Sequence, residues 1–177
     1  MARLPQLARD QMNPEQQRVH DEIAGGPRGG VRGPFNILLH SPALADVAQA
    51  LGAYVRYNCA VPWKLRELAI LICAHHWDAE YERYAHEPHA RKAGLDEAVI
   101  TAVREGTTPQ LGDAAEQAVY DFSTQLLGNH RVDDDTYARA VKELGEVGTV
   151  DLVGLLGHYS LIAMTLNAFE VPVPDGG

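Results

Sequence analysis

Residues 65–94 decide the fold, and they read LRELAILICAHHWDAEYERYAHEPHARKAG. The first half of this stretch is apolar on every side of a helix, since Ile70, Leu71 and Ala74 fill the faces that an amphipathic helix would leave polar. We therefore predict a helix that is buried almost all round. This helix carries one carboxylate, Glu67, and an unpaired buried charge is costly. Glu67 is expected either to be protonated, with a raised pKa, or to lie against a hydrogen-bonding or cationic partner.

A second, polar helix follows and is predicted to begin at Asp78 as its N-cap. Residues three or four apart lie on one side of a helix, so Glu82, His86 and His89 should share a face. Pro88 falls within this helix, where it cannot donate a backbone hydrogen bond and is expected to produce a kink one turn from His86. The buried glutamate and the polar helix beside it mark this region as the candidate site.

The composition is that of one soluble globular domain. The chain has 177 residues, of which 46% are hydrophobic and 22% charged, enough for one well-buried core. The formal net charge is −9, with no Lys/Arg cluster, which argues against nucleic acid or an anionic membrane as a partner. The same charge does not favour an anionic substrate unless local arginines overrule it.

The cysteines and the N-terminus indicate the cellular compartment. Cys59 and Cys73 form neither a CxxC pair nor a metal-ligand spacing, which favours a reduced protein. Residues 1–20 alternate polar and apolar side chains from the start, unlike a secretory signal. We expect a cytoplasmic protein.

The sequence before the central stretch predicts a loop and a helix. GGPRGGVRGP, at residues 25–34, is typical of a loop that either shapes a pocket entrance or serves as a passive connection. Ser41 and Pro42 are typical of a helix start, and the helix is expected to run to about Asn58. Its apolar face is predicted to hold Leu44, Val47, Leu51 and Val55.

The sequence after the central stretch predicts four further helices and no strand. Gly94 should end the second helix of the central stretch, with Leu95 packing back. The next two helices are expected at residues 96–104 and, after a capping box, at residues 113–127. The last two are predicted from the aspartates at 133–135 to about 145, and over residues 149–169. Although the final helix is nearly long enough to cross a bilayer, polar residues interrupt it, so a buried helix or a subunit contact is predicted.

Four short motifs in and before the central stretch are similar to those of a known family: RELAIL at 66–71, YAH at 84–86, ARKAGL at 90–95 and HSPAL at 40–44. They resemble the carboxymuconolactone decarboxylase / alkylhydroperoxidase AhpD-like superfamily of all-helical proteins. The likeness is good over residues 34–95 and loose for the C-terminal helix. It implies an all-α, single-domain AhpD-like helical bundle formed by residues 34–177, preceded by an N-terminal segment and Gly-rich loop at residues 1–33.

The resemblance also bears on the reaction. The peroxidase branch of the superfamily uses a Glu, a CxxC pair and a His in fixed order, and the separation of its Glu and His matches Glu67 and His86. Its two redox cysteines would fall on Ala79 and Glu82, so this chain lacks that disulfide chemistry. The lactone-decarboxylase branch instead has a Glu four residues before the His, as Glu82 and His86 stand here. The resemblance implies a carboxymuconolactone decarboxylase-like lyase, and we expect no cofactor.

The residue types at the site predict acid/base chemistry on a small lactone or keto acid, by decarboxylation or isomerisation. His86 is assigned the proton transfer, Glu82 the orientation of His86, and Glu67 the part of second acid or base. An enolate that develops in such a reaction must be stabilised. The predicted substrate-binding residues are Tyr81 or Tyr84 for a carbonyl or enolate, Arg83 or Arg66 for a carboxylate, and His40 at the pocket.

Three alternatives stay open. An AhpD-like peroxidase is disfavoured by the missing CxxC. A metal site of Glu67, Glu82, His86 and His89 matches no spacing of known geometry, so no metal is expected. A small-ligand-binding oligomer would keep the pocket without turnover. His158 and Tyr159 either reach the Glu67 pocket or are hydrogen-bonded core residues. His75 and His76 have no assigned role.

The long apolar C-terminal helix predicts self-association, since helical chains of this size often bury such a helix against a copy of themselves. The resemblance implies rings, or trimers built from dimers. We expect a homo-oligomer, such as a dimer, trimer or hexamer, that takes a small-molecule substrate and binds neither nucleic acid nor membrane.

Overall fold

The structure, a computed structural model, describes residues 2–174, and this part of the chain contains helices and no strand. The all-α prediction is confirmed. The α-helices of the described residues are α1 (Pro14–Gly25), α2 (Pro34–Leu38), α3 (Pro42–Ala53), α4 (Trp63–His76), α5 (Glu80–Lys92), α6 (Glu97–Glu105), α7 (Ala114–Asn129) and α8 (Asp134–Ala168). One wide turn of π-helix, Tyr54–Asn58, extends α3.

Helix α4 is the centre of the bundle, and it packs against α5, α7 and α8. Leu65 and all of residues 67–74 are buried. The burial is all round because apolar side chains cover every face, as the sequence predicts. Glu67 is the one charged residue in this buried run, and it is 2% exposed.

Helix α5 begins later than predicted. Asp78 has a left-handed backbone conformation with φ of 48°, so it forms the turn after α4 rather than an N-cap. Ala79 is the N-cap, and Asp78 instead accepts a hydrogen bond from Arg83 at 3.0 Å. Gly94, with φ of 85°, ends the segment, and Leu95 is buried behind it, as predicted.

The apolar face predicted for α3 does not point to the core. Three of its four residues are exposed: Leu44, Val47 and Leu51. The residues that do face the core are small: Ala45, Ala48 and Gly52. Small side chains let α3 lie close to α1 and α8, so the larger side chains on the opposite face remain outside. The fourth predicted residue, Val55, lies in the π-turn and is buried.

Capping aspartates define the later helices. Asp113 accepts from the backbone of Ala115 at 2.8 Å, and Asp133 accepts from that of Thr136 at 2.7 Å. Asp133 thus opens α8, in keeping with a capping role for the aspartate run. Glu116 does not complete a capping box, because it pairs with Lys64. Helix α7 ends at Asn129, later than the predicted 127, with His130 in the left-handed conformation.

The two predicted C-terminal helices form one long helix, α8, that is broken where the sequence predicts a stop, at Gly145. By length and composition alone α8 is apolar enough to cross a membrane, but 56% of its most apolar window is buried within the bundle. Such burial is typical of a core helix. The part of α8 after Gly145 brings His158 and Tyr159 to α4 and α5.

Candidate functional site

A cavity of about 620 Å³ lies between α4, α5, the C-terminal part of α8 and the loop before α2. Its size suits a small organic ligand. Pro27, Arg28, Gly30 and Arg32 of the loop line it, so the Gly-rich segment shapes the cavity and is not a passive connection. Gly33 anchors the end of this loop: its φ is 55°, and a side chain there would overlap the ring of Tyr81.

Glu67 and His86 form a buried hydrogen-bonded pair at the inner wall of this cavity. The Nδ1 atom of His86 lies 2.8 Å from Oε2 of Glu67, and the indole N–H of Trp63 donates to Oε1 at 3.1 Å. Both carboxylate oxygens of Glu67 therefore have partners. Of the two states expected for this buried glutamate, the partnered one is found. The Nε2 atom of His86 is the ring nitrogen left for a ligand.

The pair has a defined charge state. Burial alone would raise the pKa of Glu67, but the hydrogen bonds from His86 and Trp63, together with the charge of Arg56, outweigh it and hold that pKa below its usual value. Burial lowers the pKa of His86, and Glu67 only partly offsets this. At neutral pH Glu67 is therefore ionised and His86 neutral. Its Nδ1–H donates to Glu67, so Nε2 carries the lone pair of a base.

Glu82 does not orient His86 as predicted. It is 2% exposed, and neither of its carboxyl oxygens has a hydrogen-bond partner among residues 2–174. The i−4 spacing brings both side chains to the cavity, but α4 supplies the carboxylate that contacts the imidazole. Burial raises the pKa of Glu82 well above its usual value, only partly offset by Arg56. Burial thus favours the neutral carboxylic acid form of Glu82 at the cavity wall.

Helix α8 contributes two further groups to the cavity. The rings of Tyr159 and His86 meet edge to face with centroids 5.1 Å apart, and those of Tyr159 and His158 at 5.3 Å. Burial raises the pKa of the Tyr159 phenol, so it is a hydroxyl donor at neutral pH. The sequence leaves two interpretations open for His158 and Tyr159. The structure supports the one in which both side chains reach the Glu67 pocket.

The cavity is strongly cationic although the chain is acidic. Among residues 2–174, nine of the fifteen Lys and Arg side chains pair with carboxylates within 4.0 Å, and six do not. Five of these six line the cavity: Arg28, Arg32, Arg56, Arg66 and Lys92. The sixth is Arg131, which is exposed elsewhere. At the cavity, local arginines thus outweigh the net charge of −9.

Some of the predicted substrate-binding residues lie elsewhere. Tyr81 and Arg66 line the cavity. Arg83 and Tyr84 point away from it. They lie on other sides of α5 than Glu82 and His86, whose face lines the cavity. His40 is also outside, where its ring hydrogen-bonds to the carbonyl of Pro5 at 2.9 Å.

The sequence reasoning missed Trp63, Arg56 and the arginines of the loop. Trp63 carried a usable signal, since it precedes Glu67 by four residues on the same helix. Arg56 had none, because it reaches the site only through the π-turn after α3. Its Nη2 atom lies 3.1 Å from Nε2 of His89, which gives that histidine a place at the cavity wall.

Comparison with known proteins supports a fold assignment. No protein-family model matches the sequence, and no curated protein matches it. A solved structure from Ralstonia eutropha JMP134, an alkylhydroperoxidase AhpD core of an uncharacterized peroxidase-related protein, matches with a TM-score of 0.80 at 15% identity, over 98% of this chain and 93% of that one. The chain has the AhpD-like fold.

Two further structures share this AhpD-like fold. An uncharacterized peroxidase-related protein from Silicibacter sp. TM1040 matches with a TM-score of 0.77 at 13% identity, covering 98% of this chain and 92% of its own. The debrominase Bmp8 in complex with 2,3,4-tribromopyrrole matches with a TM-score of 0.75 at 14% identity, covering 99% and 95%. At such identities the likeness concerns the fold alone.

The AhpD-like fold here carries no thiol at the cavity. The positions that the resemblance assigns to redox cysteines hold Ala79 and Glu82, and no cysteine is among the lining residues of the cavity. Cys73 is buried in α4, and burial raises its pKa to about 12. Cys59 is half-buried and donates to the carbonyl of Val55 at 3.0 Å. Neither thiol has the exposed setting of a redox cysteine.

The alternative metal site is not assembled. Within residues 2–174 no group of three or more His, Cys, Asp or Glu side chains is placed to hold a metal ion. Glu67 and His86 engage each other, and His89 faces the cation of Arg56. A cationic neighbour disfavours metal ligation by that imidazole.

Replacing Glu67→Gln should lower the pKa of His86 further. The charge of Glu67 is what raises the His86 pKa against burial, and glutamine retains the shape without the charge. An NMR titration of the His86 ring measures this directly. Glu80→Gln, a change of the same charge at an exposed position of α5, is the control and should leave His86 unchanged. A His86 pKa that stays constant or rises in Glu67→Gln would contradict the assigned charge state.

Replacing Glu82→Gln should remove a pH-dependent loss of stability. Because the folded-state pKa of Glu82 is raised, its contribution is fully present below the unfolded value of about 4.5 and is lost as the pH rises through the folded value. The free energy of unfolding of the variant should therefore rise relative to that of the wild type by about 1.4 kcal/mol per pH unit. This rise begins above the unfolded value of about 4.5 and ends when the folded pKa is reached. Urea unfolding at a series of pH values tests this, with Glu80→Gln as the control. A constant difference across the series would refute the buried neutral acid.

Proposed function

We propose that the protein is a cofactor-free acid/base enzyme, similar to a carboxymuconolactone decarboxylase, that decarboxylates or isomerises a small lactone or keto acid. The observation that carries the proposal is the Glu67–His86 hydrogen bond at 2.8 Å. It lies in a cavity lined by Glu82, whose pKa burial raises, and by arginines that have no carboxylate partner among residues 2–174, but by no cysteine. These are the parts that proton transfer next to a carbonyl group requires.

His86 is the base in this proposal. Its Nε2 atom removes a proton from the carbon beside the substrate carbonyl, and Glu67 stabilises the imidazolium that forms. A carboxylate that holds a histidine in one tautomer, and whose charge compensates the imidazolium, performs the same task in hydrolytic triads. The roles of the two carboxylates are therefore exchanged relative to the sequence-based assignment: Glu67 orients the histidine and Glu82 is the second acid.

Glu82 and Tyr159 act on the substrate oxygen. An enolate develops when a proton or CO2 leaves the carbon next to a carbonyl, and a donor aimed at that oxygen stabilises it most in a water-poor site. Glu82 is protonated and without a partner among the described residues, and Tyr159 retains its hydroxyl proton. The raised pKa of a buried carboxylic acid is what allows it to donate at neutral pH.

Each reaction balances with these groups. In isomerisation, His86 takes a proton from one carbon and the imidazolium returns it to another. In decarboxylation, the electron pair of the broken carbon–carbon bond passes to the enolate as CO2 departs, and His86 passes a proton from water to that carbon, which completes the product. The hydroxide that remains from the water combines with CO2 as bicarbonate. Neither route needs an oxidant, a reductant or a cofactor.

Arginine holds the acid group of the substrate in this proposal. Arg56 lies near the Glu67–His86 pair and affects the pKa of both residues. Arg66 stands beside Glu67 on α4, and its Nε atom is buried without a partner among residues 2–174. A substrate carboxylate would supply that partner. Binding one end of a small acid at Arg56 and Arg66 brings its neighbouring carbonyl carbon toward His86.

The other candidate functions have less support. The names of the structural neighbours refer to peroxidase-related proteins and a debrominase, but a peroxidase of the AhpD type needs two reactive cysteines, and this cavity has none. A small-ligand-binding protein without turnover would use the same arginines. It would not require a neutral histidine paired with an ionised glutamate, so the activity of a histidine variant separates these two functions.

Replacing His86→Ala should abolish turnover of the acid substrate. The expected loss is about 100-fold or more in kcat, because the variant lacks the imidazole that takes the proton. The assay follows CO2 release or loss of absorbance on a panel of small lactones and β-keto acids. His40→Ala, a histidine outside the cavity, is the matched control and should be fully active.

The same assay with peroxide and a dithiol donor tests the redox alternative. Peroxide turnover that survives in His86→Ala would sink the acid/base proposal. If the wild type turns over neither the lactones and β-keto acids nor peroxide, a ligand-binding function would replace the acid/base proposal.

We further propose that the protein is a cytoplasmic homo-oligomer. Two free cysteines support the cytoplasmic part. For self-association, α3 exposes the apolar side chains of Leu44, Val47 and Leu51, and α8 exposes those of Val147 and Val150. The hydrogen bond of Tyr54 to Asp151, 2.9 Å long, links the two helices. Because these five side chains are uncharged, a second copy of this acidic chain can meet them without repulsion.

Replacing Val150→Asp should dissociate the oligomer. Val150 is 71% exposed, so the free chain tolerates the change, whereas a charge in the interface does not. Sedimentation velocity at micromolar concentration measures the size. Tyr137→Asp, on the other side of the break in α8, is the control and should leave the oligomer intact. A monomeric wild type would contradict the proposal.

A further inference from the structure

The loop before α2 carries an arginine that has no anionic partner within the described chain. Arg28 lines the cavity, and its guanidinium stacks on the ring of Phe35 with 4.4 Å between Cζ and the ring centroid. Its Nε atom is buried and has no hydrogen-bond acceptor among residues 2–174. Stacking fixes the plane of the group, so its donors are held in place without being used.

His158 lies against the same arginine. It is 3% exposed, and its Nδ1 atom also lacks a partner among the residues that the structure describes. Gly52 of α3 makes room for both side chains: a side-chain carbon there would lie 2.6 Å from Nε2 of His158 and would overlap Nη2 of Arg28. Burial and the charge of Arg28 keep His158 neutral, with a pKa lowered to about 4. A fixed cation and an imidazole thus share one corner of the cavity.

Tyr159 stands between this corner and the acid/base centre. Arg56 affects the pKa of Glu67 and of His86, Arg28 affects that of His158, and both arginines affect that of Tyr159. Tyr159 lies between the two histidines, with ring centroids 5.1 Å from His86 and 5.3 Å from His158. Among the five cations that line the cavity, Arg56 therefore lies at the reacting end and Arg28 beyond Tyr159. A ligand whose one acid group is bound at the reacting end leaves Arg28 unpaired.

We propose that Arg28, with His158, forms a second anion-binding subsite, so that the substrate carries two anionic groups and Arg28 determines specificity for the remote one. The proposal rests on the proposed function, which gives the first acid group its place at Arg56 and Arg66. The remote group is a carboxylate or a phosphate, since both accept two parallel hydrogen bonds from a guanidinium. The N-terminal loop is then the element that sets substrate length.

Isothermal titration calorimetry with matched probes tests the subsite without turnover. The dicarboxylates succinate, glutarate and adipate are compared with butyrate, pentanoate and hexanoate, which have the same lengths and one acid group. A further probe, 3-phosphonopropionate, distinguishes phosphate from carboxylate at the remote end. The proteins are the wild type, Arg28→Ala, Gly52→Ala and Arg131→Ala, with circular dichroism to establish that each is folded. Arg131→Ala removes the unpaired cation that lies outside the cavity.

In the wild type and in Arg131→Ala, one dianionic probe should bind about tenfold or more tightly than its monoanionic match. Arg28→Ala should lose that preference while retaining the affinity for monocarboxylates. Gly52→Ala should lose it too, because the added methyl group displaces Arg28 and His158. Preference for the phosphonate alone would assign the remote group as a phosphate.

Two results would overturn the inference. One is a wild type that binds monocarboxylates but no dianion more tightly, and the other is a preference that survives in Arg28→Ala. A wild type that binds no carboxylate at all would refute the proposed function as well, so the two failures are distinguishable.

Discussion

The hydrogen bond between Glu67 and His86 is the interaction on which the site depends. A carboxylate in the middle of an apolar helix is unfavourable unless a partner reaches it, and α5 supplies that partner one helix away. The turn at Asp78 and the cap at Ala79 set the register of α5 so that its histidine faces α4. The geometry of the turn, the burial of α4 and the charge state of His86 are thus linked through this one hydrogen bond.

Burial gives the two glutamates of the site opposite protonation states. Glu67 has three groups that favour its charge, and it is ionised. Glu82 lies one turn from His86 but has no hydrogen-bond partner among the described residues, and burial keeps it neutral. Pairs of carboxyl groups whose surroundings push their pKa values apart are the usual basis for assigning a base and an acid. Here the two protonation states differ because Glu67 projects from α4, where His86 reaches it, whereas Glu82 projects from α5.

Much of the fold was readable from the sequence because helical periodicity, glycine stops and capping aspartates are local signals. The all-round burial of α4, the break at Gly145 and the stop at Gly94 followed from such signals. The orientation of α3 did not, because its core face consists of small residues that a hydrophobic pattern overlooks. The family resemblance located Glu67, Glu82 and His86, and the structure brings all three to one cavity.

The arginines of the cavity were out of reach of sequence reasoning for a different reason. Arg28 and Arg56 come from a loop and a π-turn outside residues 65–94, so no helical spacing links them to the glutamates. Only the ion-pair pattern of the folded chain shows that cations without a carboxylate partner converge on one cavity in a protein of net charge −9. Conversely, Arg83 and Tyr84 lie within residues 65–94 but point elsewhere, and His40 is also outside the cavity.

Deuterium exchange tests the central claim, proton transfer to and from carbon at His86, most directly. The protein is incubated in D2O with a small keto acid, and NMR follows the loss of the C–H signal next to the carbonyl. We expect exchange well above the buffer rate in the wild type, with none above that rate in His86→Gln. Exchange at the buffer rate for every keto acid and lactone that binds, or exchange that persists in His86→Gln, would contradict it.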